Sequence, residues 1–386
     1  MKKILIVINN MNIGGIQKAL LELLKVLSVR DDLSVSLFCC NHCGELLEQV
    51  PSNIALLPEK KWAKTSELTV STSKDLGTGY FLFRVIASVW SKVFHKGLPA
   101  KLLCSLIGDL GTYDVAISYS QPIHEKAFYN LSNEIVLYCT KAKKKLTFLH
   151  CDFSKYGGNT NHNRKMYTKM DTVAAVSDSV GRKMLECMPL LRDRVVTAYN
   201  FCDYEQIRRL AEEEPVQYSQ PAIVTIARIS AEKGLLRCLP IFAKLKEEGI
   251  DFCWCIVGGG PLEQQLKNEI ARYNLEKQII LEGQQINPYR FLKNADYLLL
   301  PSFHEAAPVV FDEAVALGVP ILTTETLSAK ELVLDKNAGL VCGNDDMEIY
   351  RMLRKALTEH WGNINVLEIS QAVRMKQFNA ACGFEE

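Results

Sequence analysis

The chain runs the same rhythm twice: a short unbroken apolar run, a turn, then an amphipathic stretch with the period of a helix. Such alternation builds a parallel sheet with helices on both faces. Each strand is then buried on both sides, and a helix carries the chain back for the next one. In the first half, Ile4 to Ile8 predicts a buried strand. Ile16 to Leu27 predicts a helix with Leu20, Leu23, Leu24 and Leu27 on one face. Leu33 to Phe38, Asp114 to Ser118, Leu146 to Leu149 and Thr172 to Val176 predict further strands. The cycle restarts with strands at Ala222–Ile226, Phe252–Val257, Gln278–Leu281, Tyr297–Leu300 and Pro320–Thr323. Helices at Gly234–Glu247, Leu262–Tyr273 and Val309–Leu317 alternate with them.

A length of 386 residues fits two domains of ordinary size. The rhythm breaks at Val195 to Asp203, and an acidic stretch at Glu212 to Glu214 leads to Pro215. The expected organisation is a domain over 1–203, a second over 204–366, and a tail 367–386 whose helix would return to the first domain. The expected fold class is therefore α/β, two tandem Rossmann-like, doubly wound domains facing each other across a cleft. Ligands would sit at the carboxyl ends of the strands.

Composition excludes several classes. Apolar residues make up 48% and charged residues 23%, a globular balance, and the net charge of +1 gives no field for nucleic acid. The opening MKKILIVINN carries an apolar run too short for a secretory signal, and no uncharged stretch approaches bilayer-spanning length. A cytoplasmic protein is expected. Of thirteen cysteines, only Cys39, Cys40 and Cys43 beside His42 cluster; they lack a second ligand pair at zinc spacing. They read as reduced cysteines in a strand-to-helix turn, and no metal site is expected.

Four segments carry polar or glycine-rich chemistry at predicted strand ends. Met11-Asn-Ile-Gly-Gly15 follows the first strand and opens the first helix. Its adjacent glycines admit a ligand close to the backbone, although a tight turn would use them as well, and no G-x-G-x-x-G dinucleotide fingerprint is present. Ala227-Arg-Ile-Ser-Ala-Glu-Lys-Gly234 places Arg228 and Lys233 near a helix start, where two cations oppose the helix dipole unless an anion such as a diphosphate lies between them. Val257-Gly-Gly-Gly-Pro261 holds more glycine than a turn requires, which implies close packing against a flat ligand such as a base or ribose. In Pro301 to Pro320, Glu305 falls in a loop before Pro308. Glu313 lies among Val309, Val310, Ala314 and Leu317, where it would face the cleft or be buried. His150 ends an apolar strand, and Asp152 beyond it would either orient its ring or start a turn.

In this order ARISAEKG, VGGGP, LEG, Asn294 to Asp296 and PSFHEAAPVVFDEAVALGVP resemble glycosyltransferase family 4, the retaining enzymes of GT-B architecture. NIGGIQKALLELL, YDVAIS, FLHCDF and VAAVSDSV resemble its polysaccharide-assembly members, over about residues 3 to 342. The resemblance implies a cytoplasmic retaining hexosyltransferase of capsule or lipopolysaccharide type, peripheral on the inner face of the membrane. Its donor would be a UDP- or GDP-sugar carrying a hexose or N-acetylhexosamine. Its acceptor would be a glycan or lipid-linked saccharide. No cofactor or essential divalent metal is expected, and no D-x-D stands at a strand end.

Residue by residue, the resemblance implies that Arg228 and Lys233 hold the donor diphosphate, Glu305 and His150 face the sugar, and Glu313 binds the ribose. Gly14, Gly15, Gly259 and Gly260 would lie against the donor. The segment Ala306, Ala307, Pro308 and Val309 would bring backbone amides to the sugar and phosphate. Ala306 and Ala307 depart from the glycine and bulky residue usual in the family, which alters the sugar pocket. A non-hydrolysing sugar-nucleotide 2-epimerase and a catalytically inactive sugar-nucleotide-binding component of an assembly complex are the alternatives.

No acidic residue occurs from Leu76 to Gly108, where Arg84, Lys92, Lys96 and Lys101 lie among aromatic residues. An anionic membrane surface across residues 80–104 is one expectation, and a helical insertion packed on the first domain is the other.

Overall fold

The computed structural model describes residues 1–155, 157–359 and 368–384. Its contacts divide the chain into two units, Met1–Phe201 with Ser370–Glu386, and Cys202–Ile369. The boundary predicted at 366/367 lies outside the described residues.

The first unit carries seven strands: β1 (Lys2–Ile8), β2 (Leu33–Cys39), β3 (Ala55–Leu56), β4 (Thr112–Ser118), β5 (Lys141–Leu149), β6 (Thr172–Ala175) and β7 (Val195–Thr197). They pair in parallel in the order β3-β2-β1-β4-β5-β6-β7, so the strand order reverses between β1 and β4. Ile4 opposite Val115 and Ile6 opposite Ile117 set that central register. Every residue from Ile4 to Ile8 is fully buried, as a strand covered on both faces requires. The helix Gly15–Ser28 buries Leu20, Leu23, Leu24 and Leu27 along the predicted face.

The second unit repeats the plan with β8 (Ala222–Ile226), β9 (Cys253–Val257), β10 (Ile279–Gly283), β11 (Tyr297–Leu300), β12 (Ile321–Thr324) and β13 (Gly339–Cys342), ordered β10-β9-β8-β11-β12-β13. Its reversal lies between β8 and β11. Trp254 anchors the core, stacked on Phe242 at 4.5 Å, with its indole N–H donating to the Thr225 hydroxyl at 3.0 Å. Both units are thus Rossmann-like α/β domains.

Two sequence expectations need correction. Val195–Thr197, read as a break in the rhythm, is strand β7, paired to β6 through Ala174 and Val196. The acidic stretch at Glu212 to Glu214, which follows the break in rhythm, does not mark the boundary, since the units divide between Phe201 and Cys202. The helix Tyr204–Ala211 before it already belongs to the second unit, with Ala211 buried and Tyr204 and Ile207 in a cluster with Ala316. The tail forms the helix Gln371–Cys382 within the first unit, where it contacts β5, β6 and β7 and buries Phe378 and Arg374 completely.

The acid-free stretch forms two helices, Thr78–Val93 and Gly97–Ile107. Two of its four cations do not reach the surface. Arg84 is buried, with Nε donating to the Leu68 carbonyl at 2.9 Å, and Lys96 is fully buried 3.8 Å from Glu134. What these helices expose instead is an apolar row: Leu82, Ile86, Val89, Trp90, Val93 and Phe94, then Leu98, Leu102 and Leu106, each 38 to 63% exposed. Spacings of three and four residues keep each row on one helix face.

Candidate functional site

The second unit brings its polar loops together at the carboxyl ends of β8, β9 and β11. After β8 the chain turns through Arg228 and Ser230 into a short 3-10 turn, Ala231–Lys233, before the helix Leu235–Glu247. Two backbone bonds lace this turn to the glycine run: Ile229 N–H to the Gly259 carbonyl at 2.9 Å, and Leu262 N–H to the Ile229 carbonyl at 3.1 Å. A third, Phe303 N–H to the Glu232 carbonyl at 2.9 Å, ties it to the loop after β11.

Within this lacework Lys233 and Glu305, 72 positions apart in sequence, form an ion pair, with Nζ 2.5 Å from Oε1. The Ser302 hydroxyl donates to the same oxygen at 2.7 Å. Both charged side chains are largely buried, which strengthens the pair relative to a surface contact. Arg228 is exposed. Burial pushes the neighbouring Glu232 carboxyl up, but the Ser230 hydroxyl and the Lys233 and Arg228 cations outweigh it and hold the acid below its usual range. The cations therefore already polarise this corner of the unit. Ser302, three positions before Glu305, is the residue sequence reasoning passed over; the interval P-S-F-H-E held the only available signal.

Glu313 lies on the helix Val309–Leu317 and is 2% exposed, with Oε1 3.4 Å from the Tyr289 hydroxyl. Of the two sequence expectations for it, burial is the observed one. Pro308 caps that helix in extended conformation, with Ala306 buried and Ala307 and Val309 half-buried before and after it. The first N–H groups of any helix lack partners within it, so this end is suited to a polar or anionic group.

The glycine run corrects a second expectation. A Cβ on Gly258 would lie 2.0 Å from the Ala227 carbonyl oxygen, and one on Gly260 would lie 2.3 Å from that of Ile229. These two glycines are required by the chain itself, because the β8 and β9 turns pack backbone on backbone. Only at Gly259 is there room, its nearest neighbour being the Glu263 side chain at 3.7 Å. The surplus glycine is one residue, not three.

The remaining predicted residues belong to the first unit. Gly14 is the extended residue before the helix Gly15–Ser28, and a Cβ there would press on the Gln17 amide at 2.7 Å and touch the Asn12 carbonyl at 3.9 Å. In the turn before it, Ile13 N–H donates to Glu45 at 3.3 Å. His150 follows β5, its ring 4.8 Å from Tyr119 and stacked on Phe148 at 5.7 Å. Its backbone N–H donates to the Gln121 side chain at 3.0 Å, and its Nε2 is buried without a hydrogen-bond partner. Burial pushes the imidazole down to about 3, against a weaker pull from the Tyr119 backbone, so the ring is neutral at physiological pH. Asp152 does not orient it. Its Oδ1 accepts from the Ser154 N–H and hydroxyl, which makes it a turn residue.

The thirteen cysteines are all unpaired, and Cys39 and Cys40 are buried. Burial pushes the Cys39 thiol up to about 12, as for a packed side chain rather than a reactive one.

Residues 206–366 match the family model of glycosyl transferases group 1. The amylovoran biosynthesis glycosyltransferase AmsK of Erwinia amylovora is 31% identical over 175 residues, 42% of this chain and 42% of that protein. A 4-alpha-N-acetylgalactosaminyltransferase of Campylobacter jejuni, whose name specifies a diphospho-undecaprenol saccharide, is 25% identical over 182 residues, 47% of this chain and 49% of that protein. The aligned segment thus spans less than half the length of these curated relatives. Among solved structures, Anabaena Alr3699/HepE, crystallised with UDP and glucose, superposes with a TM-score of 0.67 at 16% identity, over 98% of this chain and 95% of that one. That likeness shows a shared two-domain fold.

Proposed function

We propose, on the premise that residues 206–366 belong to the group 1 glycosyl transferases, that this chain transfers a hexose or N-acetylhexosamine from a nucleoside-diphosphate sugar to a glycan or lipid-linked saccharide in surface polysaccharide biosynthesis. The observation that carries this reading is the Lys233–Glu305 pair, laced beside Arg228 at the carboxyl ends of β8 and β11. Strand order reverses there, which is where doubly wound sheets bind their ligands.

In the reaction the bond from the sugar C1 to the diphosphate breaks and one from C1 to the acceptor oxygen forms on the same face. The acceptor proton passes to the departing phosphate oxygen, so configuration is retained. Arg228 and Lys233 stabilise the charge that grows on the diphosphate, a fixed electrostatic clamp that needs no divalent metal. Glu305 holds Lys233 in place through Oε1 and offers its second oxygen to a sugar hydroxyl. Gly259 leaves space for the nucleoside, and the amides around Ala306 to Val309 meet sugar and phosphate; the ribose contact expected of Glu313 is not part of this proposal, because its carboxylate is buried. In the first unit, His150 is neutral and its buried Nε2 has no hydrogen-bond partner.

A thermal-shift panel of UDP- and GDP-sugars tests the donor. A member with micromolar Kd, added at millimolar concentration, stabilises the folded state by about 4 kcal/mol and raises Tm. An unmoved Tm with every member overturns the reading.

The two exposed helices extend the proposal to the acceptor's setting. With Arg84 and Lys96 turned inward, the anionic-surface reading keeps only Lys92 and Lys101 as exposed cations between residues 80 and 104, worth about 1 kcal/mol each near an acidic bilayer. The apolar row contributes more, so peripheral attachment at the inner face is apolar insertion aided by two lysines. Among the described residues, no helix is long and apolar enough to cross a membrane. The expected result is co-flotation with phosphatidylcholine–phosphatidylglycerol vesicles that persists in high salt and is lost in V93D/L102D. Equal recovery of the double variant removes the helices from membrane binding.

A further inference from the structure

The loop that carries Glu305 is held by side chains reaching in from three other segments of the second unit. β11 ends at Leu300, and the carbonyls of Pro301, Ser302 and Phe303 beyond it each accept a side-chain hydrogen bond. Arg237, half-buried on the helix Leu235–Glu247, donates from Nη2 to the Pro301 carbonyl at 2.6 Å and from Nη1 to the Asn344 side-chain oxygen at 2.7 Å. Asn344, just past β13, extends the hold: its Nδ2 donates to the Phe303 carbonyl at 3.1 Å and to that of Ser302 at 3.4 Å. The buried Thr324 hydroxyl donates to the Ser302 carbonyl at 2.5 Å. The Arg237 guanidinium also lies over the Phe303 ring, 4.0 Å from its centroid.

Loop carbonyls beyond a strand end have no ladder to hold them and are ordinarily left to water. Here a guanidinium takes part in holding them. Its planar fork fixes two acceptors and an aromatic face in one geometry, which an ammonium group on a flexible stem does not. The consequence falls on Ser302, whose hydroxyl meets the same Glu305 oxygen that Lys233 meets. Gly234 closes the same corner: a Cβ there would lie 2.2 Å from the Pro301 carbonyl oxygen, so the turn after Lys233 packs directly on the clamped residue. Arg237 bonds Pro301 and Asn344 while Lys233 bonds Glu305, and what joins the two cations is this loop.

We propose that Arg237 is a positioning residue: with Asn344 and Phe303 it fixes the run of carbonyls from Pro301 to Phe303 and so keeps Ser302 and Glu305 within reach of Lys233. That the pair so placed serves sugar transfer rests on the function proposed above; the placement itself does not.

Thermal unfolding of a double-mutant cycle on the full chain tests the placement without any ligand. Removing Lys233 strands Glu305, and the loss of Tm in Lys233→Met should shrink by about half or more when Arg237→Met has already released the loop. Equal losses in the two backgrounds overturn the proposal. Arg237→Lys keeps the charge but not the fork and should behave as Arg237→Met; a wild-type result for the lysine variant also overturns it. Should Arg237→Met fail to fold, Asn344→Ala takes its place in the cycle under the same criterion. Calorimetric titration of the same samples with UDP and with GDP reads the donor site. The nucleotide that binds the wild type should bind Arg237→Lys about tenfold more weakly, and the double variant Arg237→Lys/Lys233→Met no more weakly than Lys233→Met alone. Coupled Tm losses with neither nucleotide bound would sink the transferase reading and leave the positioning standing; nucleotide binding with additive Tm losses would do the reverse.

Discussion

Replacing Lys233 with methionine is expected to lower kcat by about two to three orders of magnitude while the chain still folds. The side chain keeps its bulk and loses the charge proposed to meet the leaving diphosphate. The substitution also strands Glu305, whose Oε1 retains only the Ser302 hydroxyl. Breaking one half of a largely buried pair destabilises by up to about 3 kcal/mol, so a stability effect and a catalytic effect arrive together. The double variant Lys233→Met/Glu305→Gln separates them. It removes the stranded charge and should recover Tm, yet transfer should remain as low as in the single variant. Single-turnover kinetics with saturating donor measures this directly. Recovery of kcat alongside Tm would show that the lysine merely neutralises the glutamate and touches no donor.

The second large effect concerns the glycine run, where three identical residues should behave differently. Gly260→Ala places a methyl group 2.3 Å from the Ile229 carbonyl oxygen, and Gly258→Ala places one 2.0 Å from that of Ala227, at a backbone angle of φ +145°. Neither obstacle is the end of a flexible side chain, so two turns must separate. Overpacking of this kind costs about 3 kcal/mol, enough to lower Tm by several degrees and to pull the Arg228 turn out of place. Gly259→Ala meets nothing closer than 3.7 Å and should leave Tm unchanged. It should weaken only nucleotide-sugar binding, visible as a smaller thermal shift. Equal Tm values for all three variants would contradict the backbone-on-backbone account.

These expectations show which properties are written locally. The strands at β8 and β11 and the helix Val309–Leu317 have the bounds the apolar pattern predicts, because a continuous buried run declares itself residue by residue. Strand β5 was legible only in its second half. Its first half alternates lysines that lie outward, where Lys141 pairs with Asp109 and Lys143 with Asp114, so no apolar run marks it. Strand β7 is three half-buried residues, too short for periodicity to register.

The candidate site was legible as a set of strand ends and unreadable as a set of contacts. The sequence singled out Arg228, Lys233, Glu305 and Glu313 as candidates, yet nothing in the spacing tells that Lys233 reaches Glu305. Nor could the sequence say that two glycines serve a neighbouring turn. Arg84 and Lys96 misled for the same reason: a charge counts as surface until a buried partner is known, and theirs, the Leu68 carbonyl and Glu134, lie outside their own helices.

The tail helix Gln371–Cys382 has a bearing on how the molecule comes into being. Synthesis delivers β1 through β7 first, but the helix that covers β5, β6 and β7, with Phe378 and Arg374 wholly enclosed, emerges only after the entire second unit. At about 5–20 residues per second, the earliest-made sheet waits on the ribosome with one flank bare for many seconds. The second unit is continuous in sequence and can finish during that wait. The half of the protein begun first is completed last, and in that interval its uncovered sheet face is the surface most in need of a chaperone.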